Sequence, residues 1–151
     1  MQKVADMTRI FHRSAKAPAL EELSEVVNGA WLHLEAPSPE DLAALATDYQ
    51  LDEDLLSDGV DPNESPRIER DGDVTYIFTR FCLPEAEKLT TAPMLIVYAK
   101  GVVITISERP FTSLEILLSG RYDIITSKRA QLVLQILNEV SNGYKRRINT
   151  A

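Results

Sequence analysis

Two apolar runs, MLIVYA at residues 94–99 and VVITI at residues 102–106, stand on either side of Lys100-Gly101. A strand with one face in water alternates apolar and polar residues, so runs like these need cover on both faces. The pair predicts a hairpin inside a sheet, with other layers above and below it. Residues 74–83, VTYIFTRFCL, extend the pattern. Val74, Tyr76 and Phe78 fall on one face, while Ile77, Phe81 and Leu83 fall on the other. Residues 67–70 and the Asp71-Gly72 turn make this strand the second arm of another hairpin. Between the two hairpins, residues 84–92 are polar, with Glu85, Glu87 and Lys88, and predict a mobile loop.

The remaining segments supply flanking strands and helices. Residues 8–12 and 30–35 read as strands, the second with Leu32 and Leu34 on one face and Trp31 and His33 on the other. Residues 20–27 carry apolar side chains at 20, 23, 26 and 27, a helical spacing that Asn28-Gly29 ends. Ser38, Pro39 and Asp41 are close to a capping box, and Leu42, Leu45, Ala46 and Tyr49 then mark an amphipathic helix. Residues 111–119 predict a helix with Leu114, Leu117 and Leu118 on one side, stopped at Gly120. Ser127 is the expected cap of the longest helix, whose stripe is Leu132, Val133, Ile136, Leu137, Val140 and Tyr144. Gly143 inside it costs about 1 kcal/mol against Ala, so a kink or fray is expected there. Together these elements predict an α/β fold: a mixed, largely antiparallel sheet of about six or seven strands, with helices on both faces and a long C-terminal helix. The 151 residues suffice for one core, not two.

Chemistry concentrates in residues 51–69, LDEDLLSDGVDPNESPRIE. Asp52 is an N-cap, Leu51 and Leu56 occupy the staple positions, and Gly59 reads as the stop of a short helix. Asp54, Asp58 and Asp61 then project towards water. No Lys or Arg occurs from 52 to 65, so these carboxylates lack local counter-ions. Oxygen ligands of this kind suit a hard divalent ion such as Mg2+ or Ca2+. The same run also reads as an ordinary solvated acidic face.

A net charge of −7 argues against nucleic acid as a partner, since phosphate binding needs a basic stripe. It also disfavours an anionic membrane surface, apart from the cluster Lys145, Arg146 and Arg147. Cys82 is the single cysteine, which rules out an internal disulfide and a cysteine-based zinc site and is consistent with a reducing cytosol. It reads as a buried strand thiol. No secretory signal and no run of about 18 apolar residues is present, so the chain as given is not expected to cross a bilayer. No G-x-S-x-G elbow, H-E-x-x-H pair or phosphate-loop motif occurs, and His12 and His33 have no spaced metal partners, so an enzyme is not expected. The Asn63-Glu64-Ser65 sequon is incidental in a cytosolic chain followed by Pro66.

The order of an acidic capped helix, Leu-Leu-x-Asp (Leu55, Leu56, Asp58), then Asp61, Pro66, Arg67 and Glu69, then Tyr76, Phe78 and Arg80 on an aromatic-rich strand, resembles the cytoplasmic N-terminal domain of the CorA family of divalent-cation transporters. The opening tract of residues 31–49, with Trp31 and a Pro-containing turn, and the Leu-rich helix QLVLQILNEV add to the likeness. The chain departs from the family where Ser57-Asp58 replaces a common Glu-Asp pair, where Ser65 replaces Arg before the proline, and where His33 replaces a frequent Asp. The resemblance implies a single cytoplasmic regulatory domain over residues 1–151, truncated before two transmembrane helices and a Gly-Met-Asn signature. It further implies a homo-pentamer on the cytoplasmic side of the cell membrane. Regulatory Mg2+ would sit at Asp58, with Asp61 and Asp54, between neighbouring subunits, and the pore would carry Mg2+, Co2+, Ni2+ or Zn2+. The competing expectation is a stand-alone soluble acidic oligomerisation domain without ion transport.

Overall fold

In the computed structural model, which describes residues 8–84 and 88–150, the two apolar runs become β6 (Thr91–Ala99) and β7 (Val102–Ser107) near the middle of a seven-stranded sheet. Around them lie β1 (Thr8–His12), β2 (Glu21–Leu23), β3 (Ala30–Glu35), β4 (Arg67–Asp71) and β5 (Val74–Cys82). The helices are α1 (Pro39–Tyr49), α2 (Glu53–Gly59), α3 (Leu114–Leu118) and α4 (Arg129–Thr150). The strand order is β2-β1-β3-β7-β6-β5-β4, and β3 against β7 is the parallel pair in an otherwise antiparallel ladder. The sheet is mixed because β3 and β7 are joined through the whole intervening α1 to β6 excursion, which returns the chain in the same direction.

Alternation along each strand divides the core into two layers. One contains Leu32, Leu34, Tyr76, Phe78, Leu95, Val97, Ile104 and Ile106 with Leu42, Leu45 and Leu56 from α1 and α2. The other contains Trp31, Phe81, Met94, Ile96 and Val103 with Leu114 and Leu117 from α3 and Leu132, Val133, Ile136 and Val140 from α4. Helices therefore cover both faces, as the unalternating strands require. Pro93 is tolerated in β6 because the β6–β7 ladder begins only at Met94, so the residue lacking an N–H sits beyond the end of β7.

Several local expectations change. Residues 20–27 do not form a helix: residues 21–23 pair as β2 on the free edge of β1, with Ile10 opposite Leu23. An isolated helix of eight residues is marginal, whereas the β1 edge offers a ladder and Arg9 on β1 holds Glu22 in a two-pronged contact at 2.9 Å. β6 begins three residues before the apolar run, so Thr91 and Ala92 leave the loop expected at 84–92, and Glu85 and Glu87 lie outside the described residues. α3 is shorter than residues 111–119, and α4 begins at Arg129 rather than directly after Ser127. The helix continues through Gly143 to Thr150. Cys82 is half-buried rather than buried, and burial still raises its thiol pKa.

Gly59 matters for a different reason from the one its sequence position suggests. It is the last residue of α2, and Val60 caps the helix. A Cβ at Gly59 would lie 2.6 Å from Leu95 Cβ, well inside contact distance. The missing side chain lets α2 lie directly on β6.

Candidate functional site: an acidic corner organised by one arginine

The corner is built from the start of α2 to the start of β4. The Asp52 carboxylate accepts the N–H groups of Asp54 at 2.9 Å and Leu55 at 3.2 Å, fixing the first turn of α2. The Asp52 N–H donates to the Tyr76 hydroxyl at 2.9 Å, which ties that turn to β5. Leu51 and Leu56 are both buried in the same core layer, as a hydrophobic staple requires. After α2 the Asp61 N–H donates to the Asp58 carbonyl at 3.1 Å, and the Asp61 carboxylate accepts the Asn63 N–H at 2.9 Å. Arg80 on β5 donates to the Pro62 carbonyl at 3.0 Å and to Thr91 Oγ1 at 2.9 Å, so the turn is fastened to the sheet from below.

The carboxylates do not stand alone. Arg67, opposite Phe78 in the β4–β5 ladder, places its guanidinium 4.0 Å from the Phe78 ring centroid. From there it donates to Glu64 at 2.6 Å, to Asp58 at 3.2 Å and to Glu69 at 3.2 Å. The expectation that Asp58 lacks a counter-ion is therefore corrected: its partner comes from nine residues later, brought back by the turn. Asp58 retains 38% of its side-chain exposure and Arg67 27%, so the group is open to solvent. Asp54 is exposed and takes no part in it, and Asp61 uses its carboxylate on its own turn. Of the three aspartates singled out in the sequence, only Asp58 joins the cluster, while Glu64 and Glu69 join it without having been named as site residues. The signal for this was the cross-strand placement of Arg67 opposite an aromatic residue, which becomes visible only once the hairpin register is known.

As a cation site the corner offers the right chemistry in an incomplete form. All its donors are oxygens, which suits Mg2+, and three carboxylates facing one guanidinium leave residual negative charge. Among the described residues, however, no group of three or more His, Cys, Asp or Glu side chains is arranged to hold a metal ion.

Two other polar clusters are structural in form. His33 is buried, reaching Thr105 Oγ1 through Nδ1 at 2.7 Å and Glu35 Oε2 through Nε2 at 2.8 Å. A carboxylate can only accept, so Nε2 carries the proton. Glu35 also accepts the Phe111 N–H at 2.9 Å, which pins the segment before α3 to the end of β3. The His33 hydrogen bond, aided by the Phe111 N–H and opposed by partial burial, lowers the Glu35 pKa below its usual value. These residues line a cavity of about 370 Å3 with Thr8, Arg9 and Glu115. On α4, buried Glu139 accepts from the Tyr122 hydroxyl at 3.1 Å and from Arg146. Both ring nitrogens of His33 are thus satisfied within the protein.

Residues 28–151 match the family described as CorA-like Mg2+ transporter protein. The chain belongs to that family. It is 28% identical over 140 residues to the cobalt/magnesium transport protein CorA of Methanocaldococcus jannaschii, an alignment covering 85% of this chain and 42% of the relative. The complete structure of the CorA magnesium transporter from the same organism superposes with a TM-score of 0.77 at 22% identity, over 98% of this chain and 48% of the other. The soluble domain of that CorA gives a TM-score of 0.76 at 23% identity, over 99% of this chain and 61% of the other. The fold is that of the CorA soluble domain, and the chain spans about half the length of these relatives. Among the described residues no helix is long and apolar enough to cross a membrane.

Proposed function

We propose that residues 1–151 form a regulatory domain on the cytoplasmic side of the cell membrane, part of a CorA-like transporter whose membrane-crossing helices lie beyond this chain. The domain does no covalent chemistry. It senses divalent cation and passes the result to a pore that carries Mg2+, with Co2+, Ni2+ or Zn2+ as other candidate cargo. The protein works as a homo-pentamer, with the acidic corner at the boundary between neighbours. Asp58 is the principal regulatory ligand, and Asp61 and Asp54 add negative charge beside it.

The observation that carries this reading is the partly exposed Asp58 carboxylate, held by a capped helix and a fastened turn in a cluster with excess negative charge. An incomplete oxygen site on a rigid surface is what a shared inter-subunit cation needs. With Mg2+ present, a carboxylate from the neighbour completes the site and the closed arrangement is favoured. Without it, like charges face one another and the equilibrium moves towards opening. This is population shift by differential binding. Such a wet site binds weakly: at a dissociation constant of about 1 mM, ~10 mM ion stabilises the bound form by only about 1.4 kcal/mol.

The test is Mg2+ protection from limited proteolysis in the complete transporter. Asp58→Ala is expected to lose most of the protection, and equal protection in the two proteins would overturn the assignment.

A further inference from the structure

We propose that the cavity between the end of β3 and the start of α3 binds a small organic cation, a short-chain alkyl ammonium, with its charge on Glu35 and its hydrocarbon chain against Phe111 and Leu114. The cavity lies on the sheet face covered by α3 and α4, whereas α2 and the acidic corner lie on the other, so the inference does not depend on the reading of Asp58. Its volume of about 370 Å3 is in the range of small-molecule sites, and its wall is mixed. Pro110, Phe111 and Leu114 are apolar, while Arg9, Glu35 and Glu115 carry charge.

Glu35 is the anchor. His33 Nε2 and the Phe111 N–H both reach its Oε2, at 2.8 Å and 2.9 Å, so its structural duty falls on a single oxygen. Oε1 meets no donor among the described residues, and the side chain keeps 22% of its exposure. Beside Glu35 in the β3–β7 register stands Ser107, which is fully buried and whose hydroxyl also lacks a partner. Thr105, two residues earlier and therefore on the same face, has its hydroxyl engaged by Trp31 and His33. Polar demand at this end of the sheet thus exceeds what the chain supplies.

The charges in the wall select among ligands. Arg9 is committed: Nε and Nη2 hold Glu22 at 2.9 Å, and Nη1 holds Glu115 at 2.9 Å. An anion would have to break one of those pairs and then face Glu35. A divalent ion lacks ligands, because among the described residues no group of three or more His, Cys, Asp or Glu side chains is arranged to hold one. A monovalent ammonium needs only a charge-assisted hydrogen bond, for which Glu35 Oε1 is placed, and the apolar wall takes its chain out of water. Binding would add a second link between β3 and the segment before α3, which Glu35 already holds through Phe111.

The experiment titrates the 151-residue chain with n-butylammonium chloride at constant ionic strength and follows the Phe111 amide and the His33 ring by NMR. Both signals are expected to shift along one saturable curve. Glu35→Gln, which removes the charge, is expected to weaken binding by about tenfold or more, the worth of a hydrogen bond to a charged group. Pentanoate, of similar size and opposite charge, and the uncharged n-pentanol should give no saturable shift with the wild-type chain, a comparison that stands even if Glu35→Gln does not fold. Absence of saturation by n-butylammonium would mean that the cavity holds water only and would overturn the proposal. Undiminished binding in folded Glu35→Gln, or equal binding of n-pentanol, would overturn it as well and leave an apolar pocket indifferent to charge.

Discussion

The acidic corner and the α4 face each contain an arginine-carboxylate cluster and a glycine in a helix, yet what is fixed and what is adjustable is reversed between them. In the corner the backbone has no slack, because Gly59 brings α2 against Leu95. Its charges, in contrast, stand in partial contact with water. On α4 the charge is fixed: Glu139 keeps 1% of its side-chain exposure and is paired with Arg146, itself 45% exposed. The backbone there has room, since a Cβ at Gly143 would meet Ser113 Oγ only at 3.8 Å, an ordinary contact. A buried carboxylate cannot exchange its partner without a large desolvation cost, whereas one at the surface can. The same pair of functional groups is thus exchangeable in the corner and locked on α4.

The sharpest way to break this contrast is Arg146→Ala. It leaves Glu139 buried with, among the described residues, the Tyr122 hydroxyl as its remaining hydrogen-bond donor, and the expected loss is about 3 kcal/mol, at the lower end for a broken buried pair. Urea unfolding monitored by near-UV circular dichroism checks it, and a loss no greater than that of Arg67→Gln would remove the distinction between the two regions. Next in size is Gly59→Ala, expected to destabilise by about 2 kcal/mol because the new methyl group overpacks against Leu95. Alanine is the better helix former, so a gain in the unfolding midpoint would show that α2 can lift away from β6 at no cost. The smallest effect has the opposite sign. Gly143→Ala should stabilise by about 1 kcal/mol, the helix-propensity difference with no clash to offset it. A loss on the same measurement would mean that α4 needs the flexibility of glycine at that point.

The sheet was legible in the sequence because burial on both faces suppresses alternation, and only an interior strand has that property. The same logic placed Leu32 and Leu34 opposite Trp31 and His33, and Tyr76 and Phe78 opposite Ile77 and Phe81, in two separate core layers. The helix expected at 20–27 was not formed because its spacing competed with an open strand edge, and hydrogen bonding to β1 is a non-local reward that periodicity cannot register. In the corner, the cap at Asp52, the staple of Leu51 and Leu56 and the position of Asp58 were all readable from spacing. The roles of Glu64 and Glu69 were not.

Local pattern by itself determined where this chain is helix or strand over most of its length, which faces are apolar, and that negative charge gathers at one turn. These properties depend on side-chain period, capping and composition, all of which act between near neighbours. Only the tertiary structure decided what each of those charges meets. Arg67 reaches Asp58 because the β4–β5 register sets it over Phe78 and because Arg80 closes the turn onto Pro62. Likewise, Gly59 is required because a particular leucine on β6 lies beneath it, and Gly143 has room because no comparable neighbour does. Electrostatic and steric energies depend on distance in space, and that distance is set by the folding of the whole sheet.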